Sequence, residues 1–162
     1  GMGAYGLASR LDIAQEEADA FIQDYFASYP EVKAYIDRTI AEARENGYVM
    51  TLLNRRRYLP EINNQNRRVR EFAERTAINT PIQGSAADLI KIAMIQVHEK
   101  IKTQKIDAKM IMQVHDELLF EVAKNQVDEF KELVHHEMEN AIELSVPVKV
   151  DIGIGNNWLE AH

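Results

Sequence analysis

Apolar residues recur at helical spacing in the first third of the chain. Those within 18–25 fall on one helix face, and Asp12 followed by Gln15 forms a capping box that predicts where this helix begins. A second helix is predicted from Pro30, whose fixed backbone torsion suits a first helical turn, to Gly47, a residue typical of helix ends. The segment before Asp12 carries no signal for the start of a helix.

The apolar period then changes from that of a helix to that of a strand. Residues 48–53 and 57–59 are predicted to form two short strands joined by an arginine-bearing turn. A helix over 67–79 follows, and a kink or break is expected near Pro81, because proline lacks a backbone donor and clashes with the preceding turn. A further long helix, capped by Ser85, is predicted to run to about residue 103.

Two apolar-rich runs, 109–114 and 118–122, flank the polar residues 115–117 and predict a β-hairpin with a charged tip. A helix over 126–142 and a final strand over 147–154 are predicted beyond it. Together these elements predict an α+β fold, in which an antiparallel sheet carries helices on one face and follows a helical N-terminal segment.

Composition narrows the class of protein. The 162 residues are 46% hydrophobic and 28% charged, which is ordinary for a globular domain. The chain contains no cysteine, so disulfides and thiolate metal sites are excluded. No apolar run approaches the length of a membrane span, and no signal peptide is visible, so a cytoplasmic location is expected.

The charge is unevenly distributed along the chain. The whole chain has a formal net charge of −7, which argues weakly against nucleic-acid binding. Between Asn54 and Arg75, however, seven arginines face three glutamates, a local net charge of +4. A positive band on an acidic body can attract a polyanion, because the local field counts more than the net charge. A solvated arginine-rich hairpin explains the same band equally well.

The predicted hairpin tip carries the candidate chemistry. An aspartate held at the tip, Asp116, presents its carboxylate to solvent or to a cleft, as two-metal phosphoryl transfer requires for Mg²⁺ ions roughly 3.5–4 Å apart. One aspartate cannot hold two ions, so a second carboxylate must come from elsewhere. A plain structural turn explains the same residue, since aspartate is common in turns. A metal-dependent phosphohydrolase is a third reading, for which His98, His135 and His136 supply no convincing ligand set.

Several long runs of this sequence together resemble bacterial family A DNA polymerases. The run QVHDELLFEV (113–122) is similar to motif C of that family, and ERTAINTPIQGSAADLI (74–90) to the palm helix that precedes it. YGLASRLDI, YVMTLLNRRRYLP and VDIGIGNNWLEAH resemble further segments in the family's order. The resemblance covers essentially the whole chain. It implies that residues 1–47 form the distal part of the fingers and residues 48–162 part of the palm. It also implies that the chain is part of a DNA-directed DNA polymerase used in replication and repair.

The resemblance also implies roles for individual residues. Asp116 matches the aspartate that binds the catalytic Mg²⁺ ions, Glu117 its supporting neighbour, and His115 a residue that approaches the primer end. Other matched or candidate positions concern primer–template DNA: minor-groove contacts by Arg75, Asn79 and Gln83, phosphate contacts by Arg55, Arg56 and Arg57, and stacking near the templating base by Tyr5. The three minor-groove residues lie four apart, so they share a helix face if the helix continues to Gln83.

The resemblance further implies that part of the active site lies outside these residues. The family's other metal-binding aspartate and the fingers helix that binds the deoxynucleoside triphosphate have no match in this sequence. We therefore expect the chain by itself not to polymerise DNA. An alternative from another class is a non-catalytic DNA-binding module that self-associates through exposed apolar surface.

Overall fold

The computed structural model describes residues 3–162, which form eleven regular elements. Most of them are helical, and the strands are short. In chain order the elements are α1 (Ala4–Leu11), α2 (Gln15–Ser28), α3 (Pro30–Asn46), β1 (Tyr48–Met50), β2 (Arg56–Tyr58), α4 (Arg67–Gln104), β3 (Ala108–Val114), β4 (Glu117–Val122), a 3-10 turn (Lys124–Gln126), α5 (Val127–Glu139) and α6 (Trp158–Ala161).

The predicted α+β class is confirmed, with antiparallel strands throughout. The strands form two separate two-stranded hairpins, β1–β2 and β3–β4, where the sequence predicted one sheet. The chain divides into two compact units, one ending at Ser85 and the other running from Ala86 to His162. Helix α4 begins in the first unit and ends in the second.

The first unit is built on a small core of alanine and branched side chains. Ala43 of α3, Val49 of β1 and Ala77 of α4 are buried together with Leu59 and Ile62 of the loop that follows β2. Small alanines let the helices approach the hairpin closely. This core fixes hairpin β1–β2 against the first part of α4.

The second unit packs hairpin β3–β4 against two helices. Ala93 and Val97 of α4 and Phe130 of α5 are buried in its core, and Phe130 meets Phe120 of β4 edge-on with ring centroids 5.1 Å apart. Lys109, on the same strand as the buried Ala108, is exposed, as the two-residue period of a strand requires. The hairpin therefore has one face on the helices, and its tip lies beyond the packed region.

Helix α3 follows its sequence signals closely. It begins at Pro30 and ends at Asn46, and the next residue, Gly47, adopts the left-handed conformation with φ of 76° and donates its N–H to the Ala43 carbonyl. Glycine takes this conformation without steric cost, so it terminates the helix. Both boundaries are confirmed.

The predicted cap at Asp12 is wrong. Residues 4–11 form a helix of their own, α1, and Asp12 ends it with φ of 55° and an N–H bonded to the Ala8 carbonyl. Aspartate tolerates the left-handed region better than most residues, which explains its place at a helix end. Helix α2 is instead preceded by Ala14, which provides no side-chain cap.

Of the predicted kink or break near Pro81, the break is wrong, since α4 is one 38-residue helix through that proline. Ser85 does not cap a new helix. It lies in the interior of α4, where its hydroxyl donates to the Pro81 carbonyl and accepts a 2.9 Å hydrogen bond from the Leu52 amide. The packing of hairpin β1–β2 on this stretch outweighs the local cost of proline.

The final predicted strand, 147–154, is absent from the described structure. An extended segment becomes a strand only when its backbone pairs with a neighbour, and here the Val150 amide donates instead to a carboxylate oxygen of Glu139 on α5, at 3.2 Å. The segment leads to α6, the short last helix.

Candidate functional site

The tip of hairpin β3–β4 is a two-residue loop made of His115 and Asp116. The pairing of Val114 with Glu117 closes it. His115 has a positive φ of 54°, and its carbonyl accepts a 2.9 Å hydrogen bond from the Gln113 side chain. Two-residue hairpins need positive φ at the first loop position, and histidine tolerates it better than bulky residues.

Asp116 is exposed at this apex, as the sequence predicted. The next residue, Glu117, is also exposed and begins β4. The tip thus presents two adjacent carboxylates, the hard oxygen ligands that Mg²⁺ prefers. Within residues 3–162, no group of three or more His, Asp or Glu side chains is arranged to hold a metal ion. Asp116 and Glu117 can therefore supply only part of a ligand shell.

The structure adds a residue that sequence reasoning missed. The Nδ1 atom of His162 lies 3.4 Å from the Oε1 atom of Glu117. No local signal could have indicated this, because the two residues are 45 positions apart in the sequence.

Arg75, Asn79 and Gln83 all lie on α4, whose continuity to Gln104 confirms that they share one helix stripe. Arg75 and Gln83 are exposed, and Asn79 is half-buried. Ala77, between them in sequence, is fully buried in the core of the first unit. The polar stripe therefore faces away from that core.

The three hairpin arginines are exposed, but two of them have neighbours within the fold. Arg55 donates to the Gly84 carbonyl at 3.1 Å. The guanidinium of Arg56 lies 4.6 Å from the centre of the Tyr48 ring, within the range of a cation–π contact. Arg57 completes strand β2 with Tyr58. The hairpin therefore displays positive charge on a partly fixed frame.

Part of the charge of the arginine band is balanced inside the first unit. Arg67 donates to Glu71 at 2.7 Å, and this hydrogen bond lowers the pKa of Glu71 and raises that of Arg67. Arg44 and Arg70 both approach Glu74. All three glutamates of the band accept hydrogen bonds: Glu71 from Arg67, Glu74 from Arg44, and Glu61 from Asn64. The positive charge that remains lies on the hairpin arginines, on Arg68 and on Arg75.

Tyr5 lies on α1 with 78% of its surface exposed. A ring exposed to this extent is available for stacking. Tyr5, the hairpin arginines and the α4 stripe belong to the first unit, whereas His115, Asp116 and Glu117 belong to the second.

Comparisons with known proteins agree on one family. The profile of DNA polymerase family A matches residues 1–160. DNA polymerase I of Geobacillus stearothermophilus is 51% identical over 99% of this chain, and that of Bacillus subtilis is 49% identical over the same share. The chain spans 18% of the length of each. No helix within residues 3–162 is both long and apolar enough to cross a membrane.

A solved structure gives the same answer. The polymerase domain of Pol1 from M. smegmatis, described in complex with DNA primer-template and dNTP, superposes with a TM-score of 0.96 at 48% identity. The match covers 99% of this chain and 28% of that one. At this identity the likeness extends beyond the fold to the sequence itself.

Proposed function

This chain belongs to DNA polymerase family A, and from that premise we propose that it is part of a DNA-directed DNA polymerase of replication and repair. The parent enzyme adds nucleotides to a primer 3′-hydroxyl under the direction of a template. The observation that carries the proposal is the exposed Asp116 at the apex of hairpin β3–β4, within a chain matched to the family over residues 1–160.

Asp116 is the residue that would hold catalytic Mg²⁺ in this chain. When bound, a pair of such ions activates the attacking oxygen and stabilises the leaving one in an in-line displacement. The two-residue loop limits the backbone freedom of Asp116, and the core beneath the hairpin fixes its position. Glu117 supports it from the adjacent position, and His115 approaches the primer end. The remaining metal ligands come from outside these residues.

The polar stripe of α4 is suited to a duplex of any sequence. Arg75, Asn79 and Gln83 can donate to purine N3 and pyrimidine O2, acceptors that every correct base pair presents in the minor groove. A mispair displaces these acceptors, so the same contacts sense errors. A degenerate readout is what a polymerase requires.

The remaining DNA contacts come from the first unit. Arg55, Arg56 and Arg57 contribute phosphate contacts, which add affinity without sequence information. Tyr5 stacks near the templating base. Residues 1–47 are distal fingers and 48–162 palm in this proposal, primer–template DNA and deoxynucleoside triphosphates are the partners, and the location is cytoplasmic.

By itself, this 162-residue chain does not extend primers. Phosphoryl transfer depends on positioning and on charge neutralisation by metal ions and cationic groups. Asp116 and Glu117 provide an incomplete ligand set among the described residues. The chain also spans only 18% of the length of its relatives. A primer-extension assay on the purified chain is expected to give no product.

A segment exchange tests the proposal directly. The matching 161 residues of the Geobacillus stearothermophilus enzyme are replaced by this chain, and primer extension is measured. We expect the exchanged enzyme to be active, and Asp116→Ala to lower its rate by on the order of a thousandfold, since several kcal/mol of charge stabilisation are lost. The matched control Asp151→Ala removes an exposed aspartate of the same unit and leaves the rate within about twofold. Robust extension by the Asp116→Ala enzyme would refute the role of this residue.

An exposed apolar groove on the first unit favours self-association of the chain on its own. Leu7, Leu11, Phe21 and Tyr25 are among the residues that line it, between α1, α2 and α3. Phe21 and Tyr25 are each about half exposed. Contiguous apolar surface of this kind promotes association. This property concerns the isolated chain and is compatible with the polymerase role of the parent.

A further inference from the structure

The last turn of the chain reaches the hairpin tip. Besides lying 3.4 Å from Glu117, His162 donates its backbone N–H to the Trp158 carbonyl at 3.0 Å. The rings of Trp158 and His162 are in edge-to-face contact, with centroids 6.4 Å apart. The carboxylate beside Asp116 therefore has a neighbour in His162, the residue that follows α6.

A local hydrogen-bond network holds α6 in shape. The Asn157 side chain accepts from the Glu160 amide at 3.1 Å and donates back to the Glu160 carboxylate at 2.7 Å. The backbone and side chain of Asn156 both donate to the other oxygen of that carboxylate. These bonds, the Asn156 backbone first, lower the pKa of Glu160. Such a reciprocal cap makes a four-residue helix a defined unit.

Two glycines let the chain pack against this turn. A Cβ atom at Gly153 would overlap the carbonyl oxygen of Ala161, and one at Gly155 would come within 2.6 Å of the Glu160 Cβ. Glycine is needed at both positions because a side chain would not fit there. Neither residue has the positive φ that would be the other reason for glycine. The segment that contains these glycines therefore packs directly against α6, the helix that precedes His162.

We propose that α6 is a positioning device for the active site, in which the imidazole of His162 restrains the Glu117 carboxylate beside Asp116. The role of the restraint rests on the proposed polymerase function. An exposed glutamate has several free side-chain torsions, and a neighbour in contact with its carboxylate removes part of that freedom before substrate binds. Residues that orient a metal-site carboxylate commonly affect activity without touching the metal. His162 is thus a positioning residue.

The contact itself can be tested on the 162-residue chain without any activity. Glu117→Gln is expected to shift the NMR resonances of the His162 imidazole, whereas Glu121→Gln, an exposed change on the same strand, leaves them in place. Shifts of equal size in both variants, or in neither, would overturn the contact.

Kinetics of the exchanged polymerase test the role. We expect His162→Ala to lower kcat roughly two- to fivefold, the size expected when a contact between two exposed side chains is lost, with the nucleotide KM within about twofold. His162→Gln keeps a side-chain donor and restores at least half of the lost kcat. Gly153→Ala displaces α6 and matches the loss of His162→Ala, and the double variant loses no more, because both act through one contact. Asp151→Ala, in the same segment, is the control.

The outcomes separate this inference from the proposed function. If Asp116→Ala is inactive while His162→Ala retains full kcat, the positioning role is wrong and the polymerase site stands. If Asp116→Ala remains active, the proposed function fails first, and the NMR result still decides whether the contact exists. Additive losses for Gly153→Ala and His162→Ala would also overturn the coupling through α6.

Discussion

Gly84 lies in the interior of α4, where glycine is intrinsically a poor choice. Replacing it with alanine in an unconstrained helix is worth about 1 kcal/mol of stability. A Cβ at this position, however, would lie 2.6 Å from the Cγ2 atom of Thr51 in the loop after β1. Real Cβ atoms do not tolerate such an approach, so the helix and the hairpin must separate.

The clash is not relieved cheaply, because Thr51 is nearly immobile. It is 5% exposed, its β-branched side chain has few rotamers, and its hydroxyl accepts from the Arg55 amide at 3.3 Å. Overpacking of this kind costs roughly 1–3 kcal/mol. Set against the helix gain, Gly84→Ala is expected to destabilise the chain by about 1 kcal/mol.

Thr51→Ser removes the clashing methyl and keeps the hydroxyl. In that background the nearest contacts of the new Cβ would be 3.6 Å and 3.9 Å, which are ordinary. Gly84→Ala is then expected to stabilise the chain by up to about 1 kcal/mol, so its effect changes sign. The coupling between the two positions is about 2 kcal/mol.

Urea unfolding followed by circular dichroism at the helix band measures all four proteins of this cycle. With m-values of about 1–3 kcal/mol per molar, each kcal/mol moves the midpoint by roughly 0.5 M. Effects that add to within about 0.5 kcal/mol, or a higher midpoint for Gly84→Ala alone, would refute the packing argument. The same result would mean that close packing against Thr51 is not the reason for glycine at position 84.

Two further predictions concern the last turn and the apolar groove. Because hydrogen bonds lower the pKa of Glu160 in the folded chain, its contribution is complete above the usual glutamate value of 4.5 and is lost as pH falls through the lower folded value. Fluorescence of Trp158, the single tryptophan, should therefore change only below pH 4.5. The Glu160→Gln variant should lack this transition. A transition midpoint above pH 4.5 would contradict a lowered pKa of Glu160. Light scattering should show the mass of the chain rising with concentration, and Phe21→Ser should lower it while Phe72→Ser, exposed on α4, does not.

Much of the fold was readable from the sequence because its signals are local. Pro30 and Gly47 bound α3 by fixed and left-handed torsions that few other residues supply. The polar tip between two apolar runs predicted hairpin β3–β4 and the exposure of Asp116. The family itself was recognisable from runs such as QVHDELLFEV, and the comparisons confirmed it.

Other features depend on contacts between residues far apart in the chain, so only the tertiary structure decided them. Pro81 and Ser85 signalled the end of one helix and the start of another, yet packing against hairpin β1–β2 keeps α4 continuous. Residues 147–154 have the composition of a strand, but no described strand pairs with them. The contact of His162 with Glu117 and the close backbone approach of Gly153 to Ala161 join residues distant in sequence, and no periodicity or propensity encodes them.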